Sequence, residues 1–260
     1  MFNKKIEKIL KKKNKIKIVC LTAYSTSIAK ILDKYCDIIL VGDSLGTALY
    51  NYKTTKKISL DTMIAHSKSV KKGISKSLMV VDMPYKTYRN PKEALKNAKL
   101  VMKKTKCDGI KLEGGKKIIP TVKLLIKNKI PVMGHLGILP QTDKKFTFKG
   151  KKEIENQRIL KDTKLLENAG VFSIVLECIE TKLSKKITNQ LKVPTIGIGS
   201  SVNCDGQVLV IDDLIGMSGS KLKFVKKYAD VKKVINSAVK SYKLEVLKKQ
   251  FPQAKHSFKM

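Results

Sequence analysis

Polar residues recur in this sequence at the points where short apolar runs stop, and the chemistry that they could share is cation binding with acid–base work. The clearest case is D-I-I-L-V-G-D-S-L-G, Asp37 to Gly46, where the run Ile38 to Val41 ends in Gly42 and then supplies Asp43 and Ser44. Leu78 to Val81 ends in Asp82, the run around Ile110 ends in Lys111, Glu113 and Gly114–Gly115, and Val132–Met133 ends in Gly134–His135. Ile174 to Leu176 ends in Glu177, and Thr195 to Ile198 ends in Gly199–Ser200. Three of these carboxylates, Asp43, Asp82 and Glu113, leave three successive runs. Brought together unpaired they would repel, so a cation is expected between them. Oxygen donors of this kind suit Mg²⁺, which keeps waters or substrate oxygens in its remaining positions. Any one of the three could equally be a turn or capping residue; three at equivalent exits favour a joint site.

Lys111 and Glu113 are two apart, so on a strand both side chains point to one side. With Glu113 on the metal, Lys111 faces the same cavity and can neutralise a substrate carboxylate or an enolate oxygen. Glu177 ends its run with no obvious partner, and a half-buried carboxylate there can act as a base. His135 is the histidine that stands at a strand exit and is a secondary candidate; His66 falls beside a helical apolar stripe and reads as a packing residue.

The elements that must position these residues alternate. Apolar runs of four to eight residues bounded by Gly read as buried parallel strands. They fall at Ile16–Tyr24, Asp37–Gly42, Leu78–Asp82, Gly109–Glu113, Ile130–His135, Val171–Glu177, Val193–Ser200 and Gln207–Asp212, with helical spacing between most of them. Ser59 can cap a helix that Gly73 closes, and Asn90–Pro91–Lys92–Glu93 is a helix start with a cap, Pro at N1 and Glu at N3. Gly137 to Lys152 fits neither helix nor strand, and a long loop at a strand exit reads as a lid or binding loop. Eight strands alternating with helices make the chain α/β, and the count is that of a (β/α)8 TIM barrel. Ser200 to Gln207 is too short for a crossover helix, so a truncated seventh unit and a doubly wound sheet both fit. The barrel is preferred, because its sites gather at the C-terminal strand ends, where these polar residues fall. One domain is expected over 1–260, with a closing helix and tail from about 228.

Composition bounds the reading. The 260 residues can bury a large core, and 42% hydrophobic with 29% charged residues is globular. No apolar run approaches the length of a membrane span, and the Lys-rich start does not read as a secretory signal, so a cytoplasmic location is expected. The net charge is +34, but 53 of the 55 basic residues are Lys, and the arginines are Arg89 and Arg158. Lys is scattered over every exposed face, which favours a coding bias over a specific nucleic-acid role. Cys20, Cys36, Cys107, Cys178 and Cys204 are dispersed, with no C-x-x-C pair, and read as reduced, mostly buried thiols.

Taken together, L-T-A-Y at Leu21, I-L-V-G-D-S-L-G at Ile39, H-S-K-S-V at His66, K-L-E-G-G at Lys111, V-M-G-H-L-G-I-L-P-Q at Val132, V-L-E-C at Val175, I-G-I-G at Ile196, D-G-Q-V-L-V at Asp205 and F-P-Q-A-K-H-S-F at Phe251 resemble the ketopantoate hydroxymethyltransferases, in order and over nearly the whole chain. The resemblance implies a Mg²⁺-dependent TIM barrel akin to the phosphoenolpyruvate/pyruvate superfamily. It implies transfer of a hydroxymethyl group from 5,10-methylenetetrahydrofolate to 3-methyl-2-oxobutanoate, giving 2-dehydropantoate for pantothenate, and a homo-oligomer, commonly a decamer. It puts the metal at Asp43, Asp82 and Glu113, the 2-oxo acid against Asp43, Ser44, Asp82 and Lys111, the base at Glu177, and His135 in the pocket lining. The chain departs from the family pattern at Ser25, at Ser200 and Ser201, and in the lid, which is here K-K-F-T-F-K-G-K-K, Lys144 to Lys152. A Mg²⁺-dependent aldolase or lyase without folate is the rival within enzymes; a polyanion-binding protein is the rival outside them.

Overall fold

The computed structural model describes residues 3–143 and 147–258, so Lys144, Lys145 and Phe146 of the expected lid lie outside the described residues. Its contacts divide the chain into two compact units, 1–210 and 211–260. The first unit runs α1 (Lys4–Lys11), β1 (Ile18–Thr22), α2 (Thr26–Leu32), β2 (Ile38–Val41), α3 (Leu45–Ala48), α4 (Leu60–Lys72), β3 (Leu78–Asp82), α5 (Pro91–Thr105) and β4 (Gly109–Glu113). It continues with α6 (Ile119–Lys127), β5 (Val132–Gly137), α7 (Glu153–Ala169), β6 (Ser173–Glu177), α8 (Thr181–Gln190), β7 (Thr195–Ile198) and β8 (Gly206–Leu209). Among the described residues the strands close in sequence order into a parallel barrel, β8 pairing back onto β1. The fold is the (β/α)8 barrel.

The helix starts are built as the capping residues dictate. Ser59 accepts from the Thr62 amide at the head of α4, and Asn90 accepts from the Glu93 amide ahead of Pro91 in α5. The short link from β7 to β8 contains no helix and still permits a parallel barrel. With four-residue strands the return path is roughly 13 Å, within reach of residues 199–205 in extended form. Asp205 clamps that link: its carboxylate accepts from the Thr195 amide at 2.8 Å and the Asn14 amide at 3.0 Å, and Lys13 Nζ lies 2.8 Å away.

The start of the chain is not the plain basic leader that its composition suggests. Asn3 caps α1, whose Ile6 and Ile9 are buried in one cluster with Ile18, Cys20, Ile38, Leu78, Met133 and Val208 from the barrel interior. Lysines in and just after it reach residues that precede strands: Lys5 bonds the Ser77 carbonyl, and Lys12 pairs with Asp37. The helix therefore stoppers the N-terminal end of the barrel. All five cysteines are buried and unpaired; burial pushes Cys178 up to about 12 and Cys36 and Cys107 up to about 11, so these three are not ready thiolates.

The second unit holds α9 (Ile211–Leu214) and α10 (Val231–Leu247), the latter capped by Asp230. Val234, Val239, Tyr242 and Leu247 of α10 are exposed, and the Tyr242 ring meets Phe251 edge-on. Among the described residues no helix is long and apolar enough to cross a membrane.

Candidate active site

Strand parity decides which side chains enter the barrel. Side chains alternate along a strand, so one parity faces the interior. The interior cluster takes Leu78 and Val80 from β3, Met133 from β5 and Val175 from β6. Continuing each strand by two residues reaches Asp82, His135 and Glu177. Register adds the fourth strand: Asp82 is level with Lys111, and Glu113 with His135, while Gly137 is level with Glu177. The apolar filling thus gives way at the C-terminal rim to a belt of charged groups, with Asp43 joining from just beyond β2.

These groups touch one another. Lys111 Nζ pairs with Asp82 Oδ1 at 2.9 Å, and Asp82 Oδ2 accepts from the Asp43 amide at 3.1 Å. Lys111 Nζ also lies 3.4 Å from His135 Nδ1, and His135 Nε2 lies 3.2 Å from Glu177 Oε2. An ammonium can only donate, so Nδ1 accepts and a neutral imidazole carries its hydrogen on Nε2, facing Glu177. Asp43, Asp82, Lys111, Glu113 and His135 are each at most 5% exposed; the Glu177 side chain, at 12%, is the most open of this set. Ser44 Oγ lies 2.8 Å from the Tyr24 hydroxyl, and a Cβ on Gly42 would meet both that Oγ, at 2.9 Å, and Asp82 Oδ2, at 3.5 Å. His66 is a half-buried packing residue tied to the Tyr24 carbonyl and the Tyr50 hydroxyl.

Burial sets the protonation of the belt. Burial first, and then the Asp82 charge, push Asp43 up to about 7; burial and Asp43 hold Glu113 well above the usual carboxylate range against the pull of Lys111. Burial would strip Lys111 of its proton, but Asp82, Glu113 and Asp43 outweigh it and raise its pKa, so it stays charged. Burial and the Lys111 charge lower His135, which keeps the imidazole neutral at pH 7. One ammonium thus faces more carboxylate than it neutralises, a demand that a hard cation with oxygen ligands satisfies. Among the described residues no three acidic, His or Cys side chains are drawn into a complete ligand set. The belt therefore fits an ion that takes one or two carboxylates and fills its shell with water and substrate oxygens, the habit of Mg²⁺.

One residue escaped the strand-end reading. Gln141, 1% exposed, lies in the loop after β5, donates from Nε2 to Asp43 Oδ2 at 2.8 Å and to the Met83 carbonyl at 3.0 Å, and its amide donates to Glu113 Oε2 at 3.1 Å. Its Oε1 accepts from the Tyr88 hydroxyl at 2.5 Å. A glutamine after Pro140 in a polar loop carries no signal that it will turn inward; only the return of the loop over the barrel mouth does that. Beside it opens a cavity of about 850 Å³ whose walls include Glu113, Gln141, Tyr85, Tyr88 and Ile118.

Comparison with known proteins meets this geometry. The family model for ketopantoate hydroxymethyltransferase matches residues 3–254. The chain belongs to the ketopantoate hydroxymethyltransferase family. Within it, the 3-methyl-2-oxobutanoate hydroxymethyltransferase of Pelagibacter ubique is 63% identical over 256 residues, covering 98% of this chain and 100% of that protein. The protein of that name from Anaplasma marginale (strain Florida) is 46% identical over 250 residues, covering 95% of this chain and 90% of its own. Membership in this transferase family implies a place in pantothenate biosynthesis. Solved structures share the fold of this ketopantoate hydroxymethyltransferase family member at low identity. A 2,3-dimethylmalate lyase of the PEP mutase/isocitrate lyase superfamily matches with TM-score 0.62 at 10% identity over 99% of this chain and 89% of that one. A phosphonopyruvate hydrolase, crystallised with oxalate and Mg²⁺, matches with TM-score 0.62 at 10% identity over 98% and 93%.

Proposed function

We propose that the chain transfers the one-carbon unit of 5,10-methylenetetrahydrofolate to C3 of 3-methyl-2-oxobutanoate; water supplies the hydroxyl oxygen, and 2-dehydropantoate and tetrahydrofolate leave. The observation that carries the reading is the buried run Asp82, Lys111, His135, Glu177, with the carboxylate that ends it the most open to the mouth. Asp43 and Asp82 would hold Mg²⁺ directly and Glu113 through water, and the ion when bound supplies Lewis-acid polarisation of the keto acid. Asp43, Ser44, Asp82 and Lys111 form the wall for the acid, and Lys111 offsets the negative charge that develops on its keto oxygen. Glu177 takes the C3 proton, with His135 Nε2 beside its carboxylate at 3.2 Å.

A homo-oligomer, with the decamer as the form proposed, follows from the family resemblance. A cytoplasmic location accords with the proposed pathway. The test is proton NMR of 3-methyl-2-oxobutanoate in D₂O with the protein, with and without Mg²⁺, followed by addition of methylenetetrahydrofolate. Loss of the C3 proton signal and then a new hydroxymethyl resonance are expected, both dependent on Mg²⁺. Exchange without product would hand the site to folate-free aldolase or lyase chemistry; no exchange would refute the reading. Positioned base catalysis contributes roughly 10²–10⁴-fold, so Glu177→Gln should slow exchange by that factor while leaving keto-acid binding intact.

A further inference from the structure

Ser44 stands at the N-cap of α3, where a serine hydroxyl ordinarily accepts from an amide of the first turn, yet its side chain makes no such bond. It turns to the Tyr24 hydroxyl instead. Strand parity brings Tyr24 there. Cys20 lies in the interior cluster with Ile38 and Leu40, and Thr22 is level with Leu40, so two further residues carry the buried Tyr24 to the rim, level with Gly42. A glycine at that level leaves the room that the Ser44 hydroxyl takes, since a Cβ there would crowd its Oγ.

The backbone of Tyr24 is pinned in turn from α4. His66 sets Nδ1 2.8 Å from the Tyr24 carbonyl and Nε2 3.0 Å from the Tyr50 hydroxyl. A carbonyl only accepts, so Nδ1 carries a hydrogen, and Nε2 of the neutral ring accepts from Tyr50. Tyr50 stacks on Tyr52 with ring centroids 5.5 Å apart, and the Tyr52 amide donates to the Gly46 carbonyl at 2.9 Å. One imidazole therefore joins the exit of β1 to the segment that leaves α3, with Asp43 and Ser44 just ahead of that helix. Packing against an apolar stripe would ask for a ring; it would not ask for two directed nitrogens.

We propose that Tyr24 and His66 are positioning residues for the keto acid: His66 fixes the exit of β1, Tyr24 donates to Ser44 Oγ, and the Ser44 proton is left for the substrate carboxylate. The proposal rests on the keto-acid reading above and adds two residues behind its wall. It also assigns a direction to the pair of hydroxyls. With Tyr24 as the donor, Ser44 meets an anionic oxygen with a hydrogen; with the direction reversed it would offer that oxygen only lone pairs. A neutral hydrogen bond aimed in this way should be worth roughly three- to tenfold in affinity for the acid.

The test is a set of double-mutant cycles on the full chain, read by calorimetric titration of oxalate in the presence of Mg²⁺. Oxalate copies the adjacent carboxylate and keto oxygens of a 2-oxo acid and needs neither turnover nor a one-carbon donor. Tyr24→Phe and His66→Ala should each weaken oxalate binding by that factor, and His66→Asn, whose amide nitrogen can sit where Nδ1 does, should restore most of the loss. In a Ser44→Ala background, Tyr24→Phe and His66→Ala should cost nothing further, because their effect passes through a hydroxyl that is already gone. Single variants that bind as the wild type does, or losses that multiply with that of Ser44→Ala, would overturn the proposal. Should His66→Ala fail to fold, His66→Phe keeps a ring on the stripe without either nitrogen and takes its place. Coupling seen with oxalate supports the positioning even if no hydroxymethyl product forms and the transferase reading falls. Transfer without coupling leaves that reading standing and sinks this one, and a wild type that binds no oxalate refutes the wall and its supports together.

Discussion

At the scale of single residues, the site works by matching buried charges to few partners. Gln141 is the sharpest case, since one side chain and its amide satisfy Asp43 and Glu113 together and tie both to Tyr88. Removing such a group strands buried acceptors, at a cost of about 1–3 kcal/mol, and outer partners of metal-binding carboxylates set affinity by roughly 10–100-fold. Gln141→Ala should therefore weaken Mg²⁺ binding by about that factor, read by titration calorimetry. An unchanged affinity would make Gln141 a loop anchor and nothing more. In the sequence this residue is only the last letter of the motif that starts at Val132, with no role assigned, whereas Asp43, Asp82, Lys111, Glu113, His135 and Glu177 were legible, because each ends an apolar run and a strand has only one exit.

At the scale of elements, junctions decide whether those side chains arrive in place. Gly137 ends β5 with φ +102°, and a Cβ there would stand 2.0 Å from the carbonyl oxygen of Glu177. The backbone of the proposed base is thus seated directly against this glycine, and the Ile138 amide bonds the same oxygen at 2.9 Å. Gly137→Ala should displace Glu177 and lower the C3 exchange rate by about 100-fold, the usual effect of a misplacement near 1 Å, beyond any loss of thermal stability. Asp33, which ends α2, accepts from the Ser75, Lys76 and Ser77 amides and the Ser75 hydroxyl ahead of β3. Burial alone would raise its pKa, but these donors more than reverse that and hold the carboxyl below the usual range. Because the folded value is depressed, the stabilisation is full above the unfolded value of about 4 and is lost as pH falls towards the folded one. Asp33→Asn should cost about 1.5–3 kcal/mol in urea denaturation at pH 7, with a smaller gap at pH 3. A gap independent of pH would reject the electrostatic account.

At the scale of the whole molecule, the barrel keeps a costly charge belt at its rim in place by burying an apolar stack and a helical stopper beneath it. Asp43 and Glu113 bind protons more tightly folded than unfolded, so without metal their contribution to stability falls as pH rises from about 4 through about 7. A cation replaces those protons. Stabilisation by Mg²⁺, about 2.7 kcal/mol at a hundredfold excess over Kd, should therefore grow between pH 5.5 and pH 8, with protons released on binding. Thermal unfolding with and without Mg²⁺ at both pH values checks this, and an equal shift at both would refute it.

The alternation of buried runs and amphipathic stretches was enough to specify a parallel α/β chain and the residues at each strand exit, because burial on both faces and the two-residue period are local properties. Closure was not local. Whether the short link at 199–205 ends a barrel or an open sheet depends on β8 finding β1, and on Asp205 joining the Thr195 and Asn14 amides across nearly two hundred residues of chain. The role of α1 was hidden for the same reason: Ile6 and Ile9 among lysines look like a leader until the barrel floor that covers them exists. The inward turn of Gln141 is likewise a product of loops meeting over the barrel mouth, where the contacts are long-range and no sequence period records them.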